Sequence, residues 1–170
     1  PGTYLEDAAS LPAGASLLCN WAWVPRPVWS GHEAHTDDGG SGHHVHYFIH
    51  ADAPLTPDSD HDEIVQYVYW IGDVHALMLQ YFTGSGDGEH RAFWGKDYIQ
   101  TSGLLGTPSL ARQGDLPPGG QWVRLKVKAG DLGLLGVPIK GIGFHTFGGK
   151  AYWDKTTTSM SSRDPLPAMT

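Results

Sequence analysis

The stretch that decides the fold is QWVRLKVKAGDLGLLGVPIKGIGFHTFGGKAYWD, residues Gln121–Asp154. Two alternating apolar runs, Trp122–Val127 and Ile139–Phe147, flank a glycine-rich connection, and Asp154 follows the aromatic end of the last run. An alternation with a period of two places every second side chain on the same face of a β-strand. The stretch therefore predicts the closing strands of a β-sandwich. The residues expected to be mostly buried there are Trp122, Leu125, Val127, Ile142, Phe144 and Trp153.

The rest of the chain repeats this pattern of short apolar segments separated by glycine and proline turns. The clearest further segments are Leu17–Val24, Val45–Ala51, Ile64–Ile71, Ala76–Phe82 and His90–Gly95. Strand centres recur every 8 to 14 residues or so, and no segment of ordinary helix length shows a 3.6-residue apolar period. This spacing predicts an all-β fold, an antiparallel jelly-roll β-sandwich of about eight to ten strands in a single domain.

The domain boundary is expected at Lys155. Residues 1–155 carry the strand pattern and are predicted to form the sandwich, whereas residues 156–170 contain a Thr and Ser run and two prolines with no core-forming pattern. We therefore predict that residues 156–170 are a polar C-terminal tail, serving as a linker or as a docking arm.

Composition and charge exclude several classes of protein. The chain has a formal net charge of −7, and its 11 Lys and Arg are scattered along the sequence, which argues against a nucleic-acid partner. No apolar run approaches the ~18 residues that a membrane span needs. Cys19 is the single cysteine, so an internal disulfide is excluded, and its position in an apolar segment predicts a buried thiol.

Five stretches carry a family likeness in this order along the chain. They are SGH (Ser30–His32), GHHVHYF (Gly42–Phe48), EHRAFWG (Glu89–Gly95), LPPGGQWVRL (Leu116–Leu125) and GGKAYWD (Gly148–Asp154). Over roughly residues 3–155 the chain resembles a bacterial jelly-roll module, similar to the carbohydrate-binding modules and LamG-like domains of large secreted and surface proteins. The resemblance implies a secreted or cell-surface location and a glycan or polysaccharide partner.

The resemblance also implies a structural calcium ion. In such modules the ion joins an early acidic strand end to an acid in the final strand, and Glu6 or Asp7 and Asp154 occupy those positions here. Calcium takes six to eight hard oxygen ligands, so backbone carbonyls or water would complete the shell around two carboxylates. The alternative is that these residues are surface acids beside turns.

Sugar binding requires flat aromatic surfaces beside polar groups that can bond hydroxyls, and this chain has 7 Trp and 7 Tyr. Many of these rings must belong to the core. The ligand-binding residues predicted from the sequence are Trp70, Tyr81, His90, Arg91, Trp94 and Tyr98. Trp29 is a further exposed candidate, and Gln66 and Gln80 are further polar partners.

Histidines form the other conspicuous cluster. His44 and His46 are two residues apart on a predicted strand and therefore share a face, as in HxH sites for Zn²⁺, Cu²⁺ or Fe²⁺. A third ligand is not recognisable, because no Glu follows His46 at a cupin-like spacing and His90 or His145 would serve only if the strands converge. We favour the alternative, in which these rings stack or hydrogen-bond on a polar sheet face.

The sequence thus favours an extracellular carbohydrate-binding module without catalytic activity and with a structural calcium ion. The alternative function is a structural subunit of an extracellular or cell-surface assembly such as a fibre, docked on copies of itself or on a host surface protein through its terminal arm. A His-liganded metalloenzyme is the third hypothesis. No G-x-S-x-G motif supports a serine nucleophile, so we do not expect an enzyme.

Overall fold

A computed structural model describes residues 3–4, 11–19, 21–84 and 86–161. The described residues form a β-sandwich of twelve strands, with a 3₁₀ turn at Ala129–Leu132. The strands are β1 (Thr3–Tyr4), β2 (Ser16–Cys19), β3 (Ala22–Val24), β4 (Ala34–Thr36), β5 (His43–Ile49), β6 (Glu63–Ile71), β7 (Ala76–Thr83), β8 (Arg91–Gly95), β9 (Ala111–Gly114), β10 (Val123–Lys128), β11 (Ile139–Phe147) and β12 (Lys150–Ser159). The count exceeds the eight to ten predicted because β1, β3 and β4 are only two or three residues long.

The strands form two six-stranded sheets. The first sheet has the order β10-β6-β12-β4-β3, with β1 beside β12, and the second has the order β2-β5-β11-β7-β8-β9. Chain segments cross between the sheets, since β5, β7 and β11 lie in the second sheet whereas β6, β10 and β12 lie in the first. The pairs are antiparallel except β8 with β9, which is parallel. The predicted jelly-roll β-sandwich is confirmed.

The core lies between the two sheets and follows the predicted alternation closely. Leu125, Val127, Ile142, Phe144 and Trp153 are all buried in it. Trp122 is half-buried instead, with its ring 5.7 Å from that of Tyr69 on the outer side of the first sheet. The neighbouring Val123 packs on the core, so the period of two directs the side chain of Trp122 the other way.

A second, smaller apolar cluster covers part of the outer face of the second sheet. It consists of Ala76, Met78 and Phe93 from β7 and β8, together with Ile99 and Leu110 from the long connection between β8 and β9. This connection therefore closes one half of that face, and its apolar cluster does not extend over β5, β11 and the end of β7. The other half is where the candidate site lies.

The last strand is longer than the sequence suggested. It continues to Ser159, four residues past the boundary predicted at Lys155, and pairs with β6 as far as Ser159↔Glu63. Thr156 and Thr158 are buried because their side chains lie on the core-facing side of β12. The rest of the predicted tail, residues 162–170, lies outside the described residues, so its docking role stays a prediction.

Two further details of the chain differ from the predictions. His46 and Phe48 on β5 are fully buried, so the face they share is the interior of the sandwich rather than a polar outer face. Cys19 is exposed, because it ends β2 with a positive φ of 65°. Within the part of the chain that the structure describes, we find no helix of the length and apolar character needed to cross a bilayer.

Candidate functional site

On this half of the second sheet five residues lie next to one another, and we call the surface they form the sheet-face groove. They are Tyr47, Gln80, Phe82, Gly143 and His145. Tyr47, Gly143 and Gln80 are register partners on β5, β11 and β7, so they form one row across the sheet. A Cβ atom on Gly143 would lie 3.2 Å from His145 Nε2 and 3.4 Å from Gln80 Oε1. The absence of that side chain leaves the room in which His145 and Gln80 bond each other, and Gly143 itself is buried beneath them.

The apolar side of the groove is aromatic. The rings of Tyr47 and Phe82 are stacked, with centroids 5.7 Å apart and planes inclined by 24°. Both rings are half-buried and leave a surface accessible to solvent. With Ile49, Leu18 and neighbouring residues they line a cavity of about 230 Å³ at the β2 side of the sheet. Flat apolar surface of this kind stacks on the C–H faces of ring-shaped ligands.

The polar side of the groove is a directed row of hydrogen bonds. Gln80 Nε2 donates to the carbonyl of Gly88 at 2.9 Å, so Gln80 Oε1 is the acceptor in its 2.9 Å contact with His145 Nε2. His145 Nδ1 is then an acceptor, and His43 Nε2 donates to it at 2.8 Å. The row His43, His145, Gln80 is therefore fixed in orientation, and the imidazole of His145 is neutral because its Nδ1 is an acceptor.

The electrostatics of the two histidines agree with that assignment. Burial, followed by the charges of His43 and Arg91, lowers the pKa of His145 to about 3. Burial and the nearby His44 also lower the pKa of His43. The two rings are stacked, with centroids 5.1 Å apart and planes inclined by 10°, so a charge on one opposes a charge on the other. The groove stays uncharged along this row near neutral pH.

An ion pair forms the far wall of the groove. Arg91 is the register partner of Gln80, is buried, and donates to Glu89 Oε2 at 2.7 Å and to the carbonyl of Ser109 at 3.2 Å. The hydrogen bond from Arg91 lowers the pKa of Glu89, to which Ser102 and Ser109 also donate. Arg91, predicted from the sequence to bind ligand, is thus adjacent to the groove with its guanidinium already engaged.

Two of the predicted ligand-binding aromatics are part of the core. Tyr81 and Trp94 are 1% and 7% exposed and pack between the sheets, so neither ring offers a face to a ligand. Burial raises the pKa of the Tyr81 phenol. The sequence prediction placed these two residues on the surface. Strands β7 and β8 carry large apolar residues on both faces, so the alternation alone did not show which face of each strand points into the core.

The other predicted residues lie apart from one another. Trp70 is half-buried at the end of β6, where its Nε1 donates to the carbonyl of Pro117 at 2.8 Å. His90 bonds the carbonyl of Leu132 and Asp87, and so holds a turn in place. Tyr98 is exposed, with its ring 5.3 Å from that of Phe147. The structure therefore does not bring the six predicted residues together.

Tyr47, Phe82, Gly143 and His145 were not singled out as ligand-binding residues. The signal that could have indicated them is the GIG sequence at Gly141–Gly143, because a glycine inside a strand often marks a close approach of a ligand or of another backbone. Strands β5 and β7 pair with β11 on its two sides, and this pairing places Tyr47 opposite Gly143 and Phe82 opposite Gly141.

The two histidines of the HxH pair form an internal network around Asp37. His44 Nδ1 and His46 Nδ1 lie 2.9 and 3.3 Å from Asp37 Oδ2, and His44 Nε2 lies 3.1 Å from the carbonyl of Gly149. His44 therefore bonds acceptors through both nitrogens and is an imidazolium. His46 Nε2 is left as an acceptor, and His35 Nδ1 donates to it at 2.8 Å.

The pKa values agree with these protonation states. Burial opposes the charge of His44, but the hydrogen bond and the charge of Asp37 outweigh it and raise the pKa of His44. Burial lowers the pKa of His46 and of His35. Asp37 is itself buried, yet its bonds from His44 and His46 hold its pKa well below the usual range. Over the described part of the chain, no three His, Cys, Asp or Glu side chains converge as a metal site.

Asp154, the acid in the final strand, is fully buried. Its Oδ2 accepts the backbone N–H groups of Trp29 and Ser30 at 2.9 and 3.0 Å, and its carbonyl accepts Gln66 Nε2 at 3.0 Å. The other two residues of the predicted calcium site, Glu6 and Asp7, lie outside the described residues. The calcium prediction therefore remains untested.

Comparisons with known proteins bear on the fold. The chain is similar to the Spr0440 glycoside hydrolase domain, Endo-D, of Streptococcus pneumoniae R6, with 9% identity, a TM-score of 0.51, and coverage of 89% of this chain but 22% of that chain. It is also similar to a xylan-binding domain from CBM 22, with 11% identity, coverage of 95% and 96% and a TM-score of 0.45.

A third solved structure is the family 11 carbohydrate-binding module from Clostridium thermocellum in complex with a β-1,3-1,4-mixed-linked tetrasaccharide, with 13% identity, coverage of 94% and 89% and a TM-score of 0.44. No protein-family model matches the sequence, and no curated protein matches it. At 9% identity the likeness to the Endo-D domain shows the fold alone. The other solved structures found include carbohydrate-binding modules of β-sandwich type.

Proposed function

We propose that this chain is a non-catalytic carbohydrate-binding module of an extracellular protein, and that its ligand lies in the sheet-face groove. The observation that carries the proposal is the juxtaposition of the stacked Tyr47–Phe82 pair and the oriented row His43, His145, Gln80 on one face of the second sheet. The proposal rests on this groove, because a β-sandwich by itself hosts many functions.

The groove matches the two chemical requirements of a sugar. The C–H face of a pyranose ring can stack on Tyr47 and Phe82, and its hydroxyls can bond the polar edges of the opposite row. Hydrogen bonds already fix the rotamers of His145 and Gln80, so little side-chain entropy is lost when a ligand is bound. A pre-organised neutral row suits an uncharged ligand.

The expected affinity is modest. A stacking contact contributes about 0.5 to 1.5 kcal/mol beyond area burial, and each net hydrogen bond contributes about 0.5 to 1.5 kcal/mol. Two stacking contacts and three hydrogen bonds then sum to roughly 3 to 8 kcal/mol, which corresponds to dissociation constants from millimolar to micromolar. Binding assays should therefore use high ligand concentrations.

The test is a comparison of aromatic variants on a panel of neutral polysaccharides. Wild-type protein should be retarded in affinity electrophoresis by at least one of them. Tyr47→Ala and Phe82→Ala should weaken that binding by about 5- to 30-fold each, from the loss of about 1 to 2 kcal/mol of stacking. Tyr152→Ala removes an aromatic ring from the opposite sheet and serves as the matched control.

The outcome that refutes this function is specific. If no neutral glycan binds the folded wild-type protein, or if Tyr47→Ala and Tyr152→Ala bind equally well, the groove is not a carbohydrate site. In the first case the structural-subunit hypothesis becomes the leading one, and its test is the oligomeric state of the intact chain in solution.

A structural calcium ion at Asp154 remains part of the proposal. What supports it is the full burial of the Asp154 carboxylate and the pairing of β1 with β12, in which Tyr4 is the partner of Thr156. That pairing brings the N-terminal strand within two residues of Asp154, and Glu6 follows Tyr4 by two residues in the sequence. A bound ion there would tie the N-terminal segment to the final strand.

A further inference from the structure

The cavity beside the Tyr47–Phe82 pair is a second element of the same face of the sheet. We call this cavity of about 230 Å³ the end pocket, and its lining includes Leu18, Tyr47, Ile49, His50, Phe82 and Gly86. Leu18 is the register partner of Tyr47 on β2, which is an edge strand of this sheet. The end pocket therefore adjoins the sheet-face groove, and the rings of Tyr47 and Phe82 belong to both.

The end pocket lies where two strands end. Strand β5 ends at Ile49 and β7 ends at Thr83, and His50 and Gly86 follow these two ends. The backbone N–H of Gly86 donates to the carbonyl of Thr83 at 2.9 Å, which holds this part of the turn against the strand. The hydrogen-bonded row lies in the opposite direction, since His43 is the first residue of β5. Groove and pocket thus follow one line along β5, with His43 at one end and His50 at the other.

His50 reaches the end pocket through an unusual backbone conformation. The alternation along β5 would direct His50 to the same side as Phe48, which is fully buried in the core. The φ of His50 is 67°, in the left-handed region, so the alternation is broken and the side chain is exposed beside Tyr47 and Ile49. Glycine adopts this region freely, whereas a residue with a Cβ is strained there, and such strain is concentrated at functional sites. A histidine at this position indicates a role for the imidazole itself.

The imidazole of His50 is available to a ligand. By contrast, His61, His75 and His90 each lie within 3.3 Å of an Asp carboxylate. The side chain of His50 forms no hydrogen bond or ion pair with any residue that the structure describes. Imidazole nitrogens can donate to one hydroxyl group and accept from another. His50 therefore adds a polar group to a pocket that is otherwise lined mainly by apolar side chains.

We propose that the end pocket binds the terminal unit of a neutral glycan, and that His50 recognises the hydroxyl groups of that unit. This inference rests on the proposed function and names the class of ligand, which is a chain end and not a chain interior. A volume of about 230 Å³ is below the ~300 to 1,000 Å³ of most small-molecule sites, so the pocket suits a single sugar unit. That unit stacks on the Tyr47–Phe82 pair, and the next units extend toward the hydrogen-bonded row.

The position of His50 favours a terminal unit over an interior one. His50 and Gly86 lie past the ends of β5 and β7, on the side of the pocket away from the hydrogen-bonded row. An interior unit would have to continue into the next sugar at this point. A terminal unit has a free hydroxyl group there instead, and the exposed imidazole of His50 can bond it.

The test is titration calorimetry with linear neutral glycans of different length. The probes are gluco-, manno- and xylo-oligosaccharides of two and six units, together with size-fractionated pullulan and mixed-linked β-glucan. The variant His50→Gly removes the imidazole and relieves the backbone strain, so its melting temperature should be at or above that of wild type. The matched control is Lys155→Gly, at another residue with a positive φ, of 49°, on β12 in the other sheet.

We expect recognition of chain ends to appear in both affinity and stoichiometry. In the sugar series that wild-type protein binds, the disaccharide should bind within about ten-fold of the hexasaccharide, because most contacts are made by the terminal units. Each chain should bind about one protein molecule whatever its length. His50→Gly should lose about three- to ten-fold of the affinity for the disaccharide, as expected for one hydrogen bond. Lys155→Gly should bind like wild type.

Two results would overturn this inference and leave the proposed function intact. One is a number of bound protein molecules that rises in proportion to chain length, because interior units would then be recognised. The other is an unchanged affinity of folded His50→Gly for the disaccharide, because the imidazole would then not contact the ligand. If none of the neutral glycans binds the folded wild-type protein, the proposed function itself fails, and this inference fails with it.

Discussion

The substitution Gly143→Ala should weaken glycan binding while it leaves the free energy of unfolding almost unchanged. In Gly143→Ala the new Cβ would lie 3.2 Å from His145 Nε2 and 3.4 Å from Gln80 Oε1, directly at the polar row. The backbone of Gly143 is not among the glycines with positive φ, so alanine is compatible with the local conformation. The substitution therefore narrows the groove without straining the strand.

The two effects on stability nearly cancel. Replacing a strand glycine by alanine gains about 0.5 to 1 kcal/mol, because the unfolded chain loses conformational freedom. The close contact displaces His145 or Gln80 by a few tenths of an ångström and weakens their hydrogen bond, which contributes about 0.5 to 1.5 kcal/mol. The free energy of unfolding should therefore change by about 1 kcal/mol or less.

The effect on binding should be larger. The displaced His145 or Gln80 would hold the ligand away from Tyr47 and misalign the polar row, at a cost of one stacking contact and about one hydrogen bond, or roughly 1 to 3 kcal/mol. Affinity for the neutral glycan that wild-type protein binds should fall by about 5- to 150-fold. Titration calorimetry measures this directly, and urea unfolding measures the stability of the same samples.

The matched control is Gly130→Ala, at which a Cβ would meet no atom within 4 Å and whose φ is not positive. This variant should bind like wild type. The reasoning is refuted if Gly143→Ala is as stable as wild type and binds the glycan with unchanged affinity, because the ligand would then not depend on the positions of His145 and Gln80.

The remaining predictions concern the histidines, Asp37 and calcium. His145 has a folded-state pKa of about 3 against about 6.5 in the unfolded chain, so its contribution to stability is intact above pH 6.5 and is lost as the pH falls below that value. Unfolding at pH 4.5 should thus need about 2 to 3 kcal/mol less than at pH 7 from this residue alone, and a flat pH profile in urea unfolding would contradict the assignment. Asp37→Asn leaves the His44 imidazolium without its counter-ion and should cost about 2 kcal/mol or more, whereas the neighbouring Asp38→Asn should cost little. Chelation should lower the melting temperature if calcium binds at Asp154, Asp154→Ala should remove the difference, and identical melting curves with and without chelator would eliminate the ion.

The sequence predicted the architecture well where one face of a strand is clearly apolar. In β10 and β11 the alternation identified Leu125, Val127, Ile142 and Phe144 as core residues, because their outward neighbours are charged, small or polar. The alternation failed for Trp122, where a large aromatic residue begins the run one position out of phase. At the end of a strand, the apolar character of a side chain does not show whether it points into the core or outward.

The candidate site was harder to predict for a related reason. Strand β7 carries Leu77, Leu79 and Tyr81 on one face and Met78 and Phe82 on the other, and both faces are apolar because a second small cluster covers part of the outer one. In such a strand the alternation is clear, but it does not show which of the two faces points into the core. Tyr81 was therefore predicted at the surface in place of Phe82.

The partners of the histidines depend on contacts between distant parts of the chain. His43 meets His145 and His46 meets Asp37 only because β5 pairs with β11 and the preceding turn folds back on them. Spacing along the sequence could group His44 with His46, but it could not show that both rings would bond Asp37 in the interior of the sandwich.

The central claim is that a neutral glycan binds across β5, β11 and β7. The most direct measurement is a titration of ¹⁵N-labelled protein with a neutral oligosaccharide of the type it binds, followed by amide chemical shifts. We expect the largest shifts at Tyr47, Gly143 and Gln80, and small shifts at Tyr69 and Tyr152 on the opposite sheet. Shifts that concentrate at Tyr69 and Tyr152 and leave Gly143 unchanged would contradict the claim.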